Sequence, residues 1–235
     1  MEKIFITGTG RCGTTFLIKL FSFLNFDTGF NESNYNDYIN KNCNSGMERL
    51  YDEPFNIIKN PLIISDIYTI LQNPNIKIKT IIIPIRDYKL SAKSRVFHND
   101  QEGGLWNANN EESQIDFYNK IISNYIYYMT KYEINTIFID FDKMISDKIY
   151  LYIKLNFILN EKNISFDIFS KVYDEINKSS LTNLSDLNVD IKSTINNPII
   201  NKKNNKKHLH MHRKCKKRFF KKHFLKKRKK NNSLK

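Results

Sequence analysis

The sequence predicts an α/β fold in which helices cover both faces of a parallel sheet, a three-layer arrangement. Short apolar runs rich in β-branched residues, such as residues 80–85, alternate with longer segments whose apolar residues recur at helical spacing. Runs that are apolar at every position are typical of strands buried on both sides, because helices then cover both faces of the sheet. A chain of 235 residues is long enough for one domain with a sizeable core.

Four strands are predicted, each as a short apolar run. In chain order they span residues 3–7, 55–58, 80–85 and 135–141, and Pro84 lies near the end of the third. Helical periodicity predicts most of the segments between and after these strands. The helices span about residues 16–24, 62–71, 113–132, 147–159 and 165–178, and residues 86–98 are predicted as a loop or helix.

The distribution of charge divides the chain into two parts. Of its 38 Lys and Arg residues, 17 lie in residues 202–235, which contain no Asp or Glu. The other 21 are accompanied by 24 acidic residues in residues 1–201, where the net charge is −3. We therefore predict a folded domain over residues 1–200 and a basic tail, disordered or helical, over residues 201–235. Nucleic acid or another polyanion is a candidate partner of the tail, and a solvated extension without a partner is the alternative.

Composition and cysteine content exclude several classes of protein. With 40% apolar and 26% charged residues, the chain is neither fibrous nor wholly disordered. No run approaches the length of about eighteen uncharged apolar residues that spans a bilayer. The first residues enter a strand-like run at once, so we expect no signal or transit peptide. Three scattered cysteines imply no disulfide framework, and a cytoplasmic location is the expectation.

The segment with the most informative chemistry is a glycine-rich turn between the first strand and the first helix. It reads Gly8-Thr9-Gly10-Arg11-Cys12-Gly13-Thr14-Thr15. Glycines let the backbone curl so that successive N–H groups point inward, and the N-terminus of a helix adds partial positive charge. The two threonines add hydroxyl donors. The segment therefore predicts an anion-binding loop, and a turn that is rich in glycine only for packing is the alternative.

The cation in this loop indicates which anion it binds. The spacing from Gly8 to Gly13 is that of the nucleoside-triphosphate P-loop, but Thr14 stands where that motif has Lys. The cation is Arg11 instead. The pattern Gly-x-Gly-Arg-x-Gly-Thr-Thr resembles the 5′-phosphosulfate loop of the P-loop sulfotransferases, in a form similar to a bacterial-type branch. This resemblance implies a fold of the P-loop nucleotide-binding type.

A second segment extends the resemblance. Arg86 follows the third strand and Ser94 stands eight residues later, a spacing similar to that of the Arg and Ser with which sulfotransferases bind the 3′-phosphate of their donor. Arg86 leaves the carboxyl end of a strand and Ser94 lies about two helical turns further on, so both can face one crevice. A guanidinium fork and a hydroxyl together give charge-assisted recognition of phosphate. Tyr88 stands where the family usually has Pro.

The resemblance, which covers roughly residues 3–160, implies a reaction and its site residues. The reaction is the transfer of a sulfuryl group from 3′-phosphoadenylyl sulfate to a hydroxyl or amine of a carbohydrate or small metabolite, with no metal. Arg11 and Lys59 would stabilise charge on the transferred group. The donor-binding residues would be Gly8, Gly10, Arg11, Cys12, Gly13, Thr14, Thr15, Arg86 and Ser94.

The acceptor must lose a proton, which calls for a general base. Glu32 lies in the loop after the first helix, which faces the carboxyl ends of the strands, and it is the first candidate. Glu48 is the second candidate. His98, the only histidine outside the tail, follows the 3′-phosphate segment and fits the role poorly. Residues 103–106, which contain the only tryptophan, form a candidate lid or acceptor wall, and a turn with a packed aromatic side chain is the alternative.

Two other functions are compatible with the same features. The first is a P-loop nucleotide kinase, which Thr14 and the Arg86 and Ser94 pair oppose. The second is a non-catalytic protein with a nucleotide-binding fold that binds polyanions through its tail.

Overall fold

Four apolar segments form one parallel sheet. The computed structural model describes residues 2–40, 45–98 and 103–178, and the predicted tail lies outside them. The main sheet has four strands, and a two-stranded antiparallel hairpin lies apart from it. In chain order the strands are β1 (Glu2–Ile6), β2 (Ile39–Asn40), β3 (Ser45–Gly46), β4 (Ile57–Lys59), β5 (Lys77–Ile85) and β6 (Thr136–Asp140). The order in the main sheet is β4-β1-β5-β6 and every pair is parallel, which confirms the predicted sheet.

Helices follow most of the strands. They are α1 (Thr14–Phe23), α2 (Ile63–Leu71), α3 (Tyr88–Phe97), α4 (Glu111–Lys131), α5 (Phe141–Ser146), α6 (Lys148–Leu159) and α7, which covers 166–178 of the described residues. The longest, α4, begins with a capping box, because the Asn110 side chain accepts from Ser113 N–H and the Ser113 hydroxyl accepts from Asn110 N–H.

The alternation of side chains along the strands divides the core into two layers. Ile4 and Ile6 of β1 pack on one face of the sheet with α1, α6 and α7. Phe5, between them, packs on the other face with α2 and α4. Ile82 and Ile83 of β5 are divided between the two layers in the same way. Helices therefore cover both faces of the sheet, as predicted.

Pro84 lies inside β5, a central strand, where proline is uncommon. β1 pairs with β5 only as far as Ile6, which is opposite Ile82, and Thr7 N–H then donates to Ile82 O at 3.1 Å. The backbone N–H and C=O groups of alternate residues in a strand point to the same neighbouring strand. The nitrogen of Pro84 therefore points to the same side as that of Ile82, beyond the last residue of β1. The next bond of this ladder would run from the N–H of residue 84 to Thr7 O, so the missing N–H of Pro84 coincides with the end of the pairing between β1 and β5.

The structure differs from the prediction in three local features. The strand predicted at residues 55–58 lies later, at Ile57–Lys59, because the Lys59 ammonium finds partners inside the fold. The β2–β3 hairpin and α5 are additional to the prediction. α5 begins directly after β6 because the Asp140 side chain accepts from Lys143 N–H at 2.9 Å and caps the helix.

Candidate functional site

The carboxyl ends of the four main strands meet at one edge of the sheet. β4 ends at Lys59, β1 leads into residues 7–13 (the glycine loop), β5 leads into Arg86 and β6 ends at Asp140. From β1 the chain enters α1 on one face, and from β5 it enters α3, which packs against α4 on the opposite face. Connections that leave neighbouring strands toward opposite faces open a crevice between the strand ends, where α/β proteins bind ligands.

Three residues of the glycine loop have positive φ angles in or near the left-handed region of backbone conformation. Gly10, Arg11 and Gly13 have φ values of 75°, 58° and 89°. A β-carbon at Gly10 would overlap the Arg95 guanidinium, and one at Gly13 would overlap the Met144 side chain, so both positions require glycine. Arg11 adopts this conformation although it carries a side chain, and such strain is concentrated at functional sites.

The N-terminus of α1 opens directly from the glycine loop. Gly13 is the N-cap and no side chain caps the helix. Leu17 N–H donates to Gly13 O at 3.2 Å, and the earlier N–H groups of the first turn have no acceptor within the helix. These N–H groups and the helix dipole favour an anion at this point. Thr14 and Thr15, in the first turn, add hydroxyl groups there.

Arg86 and Ser94 both contact Arg11. Arg86 Nη1 donates to the Arg11 carbonyl at 3.1 Å, and Arg11 Nε donates to Ser94 Oγ at 3.0 Å. The Arg86 guanidinium also lies over the Phe141 ring, 4.7 Å from its centroid. The structure thus brings the glycine loop, Arg86 and Ser94 together, although 75 and 83 sequence positions separate the bonded residues.

The charge around the glycine loop is positive. Within residues 2–40, 45–98 and 103–178, neither Arg86 nor Arg95 forms an ion pair. Arg86 Nε is buried and has no hydrogen-bond partner. A buried donor without an acceptor costs free energy, which an anionic ligand would recover by accepting from it.

Lys59 lies at the end of β4 and is only 2% exposed. Its Nζ donates to Thr15 Oγ1 at 3.2 Å, to Gly46 O at 2.6 Å and to Glu48 Oε1 at 2.5 Å. The ammonium therefore joins the first turn of α1 to the β3 segment. The ion pair with Glu48 compensates the buried charge, and it leaves the Glu48 side chain 40% exposed to solvent.

The two carboxylates predicted as candidate bases differ in their contacts. Glu48 contacts Lys59 directly, and the next residue along, Arg49, pairs with β4 by donating its N–H to Lys59 O at 3.1 Å. Glu32 is exposed in the turn before Tyr35–Tyr38, and no ion pair in the described part of the chain joins it to Arg11 or to Lys59. The role of either carboxylate as a base stays a prediction.

Arg49, which the sequence did not single out, anchors the segment that carries Glu48. Its guanidinium donates to Gly29 O at 3.0 Å and lies over the rings of Phe30 and Phe55, at 4.3 Å and 4.9 Å from their centroids. Gly29 lies 20 positions away in the sequence and Phe30 adjoins it, so no local pattern signals these two partners.

Arg95 was also absent from the predicted site. It is buried on α3 and donates to Thr9 O and Gly104 O, with the Trp106 ring beside it. One signal could have found it: Arg95 lies one helical turn after Ser91, on the face of α3 that is buried.

Two titratable groups lie against the glycine loop. Burial raises the pKa of the Cys12 thiol, and its fully buried sulfur lies close to Gly8, so only its backbone can face a ligand. Burial, and to a smaller extent the charge of Arg11, lowers the pKa of His98. His98 is therefore neutral near pH 7 and adds no charge to the site.

No family model, curated protein or solved structure matches this chain. Among the residues that the structure describes, no helix is long and apolar enough to cross a membrane. The same residues contain no group of three or more His, Cys, Asp or Glu side chains arranged to hold a metal ion. Function is therefore inferred from the geometry of the strand ends.

Proposed function

We propose that this protein is a sulfotransferase of the P-loop type, which moves a sulfuryl group from 3′-phosphoadenylyl sulfate to a hydroxyl or amine of a carbohydrate or small metabolite. The observation that carries the proposal is the junction at Arg11, whose carbonyl accepts from Arg86 and whose side chain donates to Ser94. In the enzymes that the sequence resembles, the loop binds the 5′-phosphosulfate and the Arg and Ser bind the 3′-phosphate. A donor with an anion at each end needs these two elements side by side.

The groups available at the junction fit such a donor. Arg86 offers a buried Nε without a partner, and Ser94 offers a hydroxyl that contacts Arg11, so together they suit the 3′-phosphate. The first turn of α1 and the hydroxyls of Thr14 and Thr15 suit the 5′-phosphosulfate. Arg11 lies between the two ends, so its charge would act on both.

Lys59 would stabilise the transferred group. Its ammonium lies 3.2 Å from Thr15 Oγ1, at the positive end of α1. In the reaction, the bond from sulfur to the oxygen of the 5′-phosphate breaks while a bond forms between sulfur and the acceptor oxygen or nitrogen. Preorganised positive charge and alignment of the reactants lower the barrier to such a transfer.

The proton of the acceptor passes to a carboxylate in this scheme. Glu48 is favoured over Glu32 for that role, because Glu48 touches Lys59 and its side chain is 40% exposed, whereas Glu32 forms no ion pair with Arg11 or Lys59 among the described residues. A carboxylate that reaches solvent beside the transferred group can take the proton of the acceptor.

A P-loop nucleotide kinase is the alternative that the same loop raises. One observation favours it: Lys59 brings an ammonium to the first turn of α1, although from another strand and not from the loop itself. A nucleoside 5′-triphosphate has no 3′-phosphate, so this alternative leaves the pair of Arg86 and Ser94 without a role.

Calorimetric titration with adenosine 3′,5′-bisphosphate and with ATP, each with and without Mg²⁺, tests the proposal. We expect the bisphosphate to bind without Mg²⁺ and to bind about 10–100-fold more weakly to Arg86→Ala, the equivalent of a lost charge-assisted hydrogen bond. Lys89→Ala, which removes an exposed charge from the helix that follows Arg86, is the matched control and should bind as the wild type does. Magnesium-dependent ATP binding that is equal or tighter would instead support the kinase.

Deletion of residues 202–235 separates the enzyme from the non-catalytic alternative. If the wild-type chain transfers a sulfuryl group and the truncated chain retains that turnover, the folded domain is itself the catalyst. A protein that only binds polyanions through its tail would show no turnover in either form.

A further inference from the structure

Arg95 is a buried cation whose partners are neutral. It is 6% exposed, and within the described residues it forms no ion pair. Its Nη2 donates to Thr9 O at 2.8 Å and its Nη1 donates to Gly104 O at 2.5 Å. A charge that is buried without a carboxylate costs free energy, which well-placed hydrogen bonds only partly offset. An apolar side chain would fill the same space at lower cost, so the guanidinium indicates a role beyond packing.

Arg95 joins the glycine loop to residues 103–106. One nitrogen of its planar fork holds a carbonyl of the loop and the other holds a carbonyl of the second segment, and this fork is rigid. Gly103 also approaches the loop, since a β-carbon there would lie 3.4 Å from Arg11 Nη1. A shift of either segment therefore moves the other or breaks a charge-assisted hydrogen bond.

Trp106 is held at the far end of the same segment. Its backbone N–H donates to Gln114 Oε1 at 2.7 Å, and its backbone carbonyl accepts from Gln114 Nε2 at 3.3 Å. Gln114 is fully buried on α4, and the Trp106 ring meets Phe117 edge-on at 5.0 Å between centroids. The Arg95 guanidinium lies over the indole, with its carbon 5.5 Å from the ring centroid. The environment of Trp106 therefore depends on the position of Arg95.

We propose that Arg95 is a positioning residue that couples the glycine loop to Trp106, so that an anion bound at the loop and the environment of Trp106 depend on each other. Arg95 acts through Thr9 and Gly104 and does not itself bind the anion. The part that concerns the donor nucleotide rests on the proposed function. The coupling itself belongs to the protein without ligand and is measurable there.

The ligand-free test uses Trp106, the only tryptophan, as the reporter. Gly10→Ala places a methyl group against Arg95 Nη2 and should displace the guanidinium, which shifts the fluorescence emission of Trp106. In an Arg95→Met background the same substitution meets no guanidinium and keeps only the backbone strain of alanine at a φ of 75°, so the emission should shift less. Circular dichroism establishes that each variant is folded, and Arg95→Lys replaces Arg95→Met if the latter does not fold. An unchanged emission in Gly10→Ala, or an equal shift in both backgrounds, overturns the coupling.

The second test adds adenosine 3′,5′-bisphosphate and follows both affinity and Trp106 emission. The wild type should show an emission change that saturates with binding. Arg95→Lys keeps the charge but loses the two-sided fork, so we expect about tenfold weaker binding and a smaller emission change. Lys93→Gln, which removes an exposed charge from the same helix, should match the wild type.

The outcomes separate the inference from the proposed function. If the wild type binds the bisphosphate and Arg95→Lys matches it in both affinity and emission, the inference is wrong and the function stands. If the wild type does not bind the bisphosphate, the proposed function is wrong, and the ligand-free measurement alone decides the coupling.

Discussion

The ion pair of Lys59 and Glu48 gives the most direct test of the site geometry, because it can be measured without a ligand. Lys59→Met removes the ammonium and keeps the length of the side chain. Glu48→Gln removes the carboxylate charge and keeps a hydrogen-bonding oxygen. The two single variants and the double variant form a thermodynamic cycle that isolates the energy of the contact.

The expected magnitudes follow from burial. Exposed pairs contribute about 0–1 kcal/mol, whereas breaking a fully buried pair costs about 3–5 kcal/mol. Here the Lys59 side chain is 3% exposed and that of Glu48 is 40% exposed, so we expect a coupling energy of about 1–2 kcal/mol. Lys59→Met should lower the free energy of unfolding by about 2–3 kcal/mol, because Gly46 O and Thr15 Oγ1 also lose their donor. Glu48→Gln should cost less, because its side chain is partly solvated.

Urea unfolding of the four proteins, followed by circular dichroism, supplies the four free energies. The order of stability should be wild type, then Glu48→Gln, then Lys59→Met. The effects of mutations at independent sites add to within about 0.3 kcal/mol, so a coupling energy below that value would mean that the two side chains do not interact. That result would refute the reasoning that the pair joins β4 to the segment carrying the proposed base.

Three further predictions concern other residues of the edge. The pKa of His98 is lower in the folded protein than in the unfolded chain, so the unfolded chain binds the proton more tightly. The free energy of unfolding should therefore fall as the pH is lowered below about 6.5, and it should fall less steeply in His98→Asn. Gly13→Ala should lower the free energy of unfolding by about 1–3 kcal/mol, because alanine is strained at a φ of 89° and its methyl group would overlap Met144. An unchanged melting temperature would contradict this. In a variant whose other two cysteines are replaced by serine, the Cys12 thiol should react with a thiol reagent only after denaturation, because the side chain is buried and burial raises its pKa. Rapid labelling of the native protein would contradict the buried position of this thiol.

The sheet and its helices could be predicted from the sequence because the relevant signals are local. Residues 81–85 are apolar at every position, and the strand predicted at residues 80–85 lies within the observed β5. The β2–β3 hairpin could not be predicted, because its two-residue strands carry too little periodicity to separate from a polar loop. The end of β4 at Lys59 lies one residue beyond the predicted strand for a different reason: a lysine ends a buried strand only where acceptors from other segments surround it.

The candidate site was predictable only where a motif carries it. The loop, Arg86 and Ser94 were identified by spacing, and the structure brings them together at Arg11. Arg49 and Arg95 were not identified, because an arginine held by aromatic rings and carbonyls from distant segments has no signature within its own segment. Tertiary packing alone determines such partners.

The contacts that build the site come from strand ends far apart in the sequence, with separations of 44, 75 and 83 residues for Lys59 to Thr15, Arg86 to Arg11 and Arg11 to Ser94. Pairings of such high contact order form slowly, since loop closure must precede them. A partly folded intermediate with β1 unpaired on either side would therefore lack the proposed donor site. Under the proposed function, donor binding would draw newly made chains toward the finished fold by mass action, and the rate at which binding appears during refolding would report the last pairing of β1.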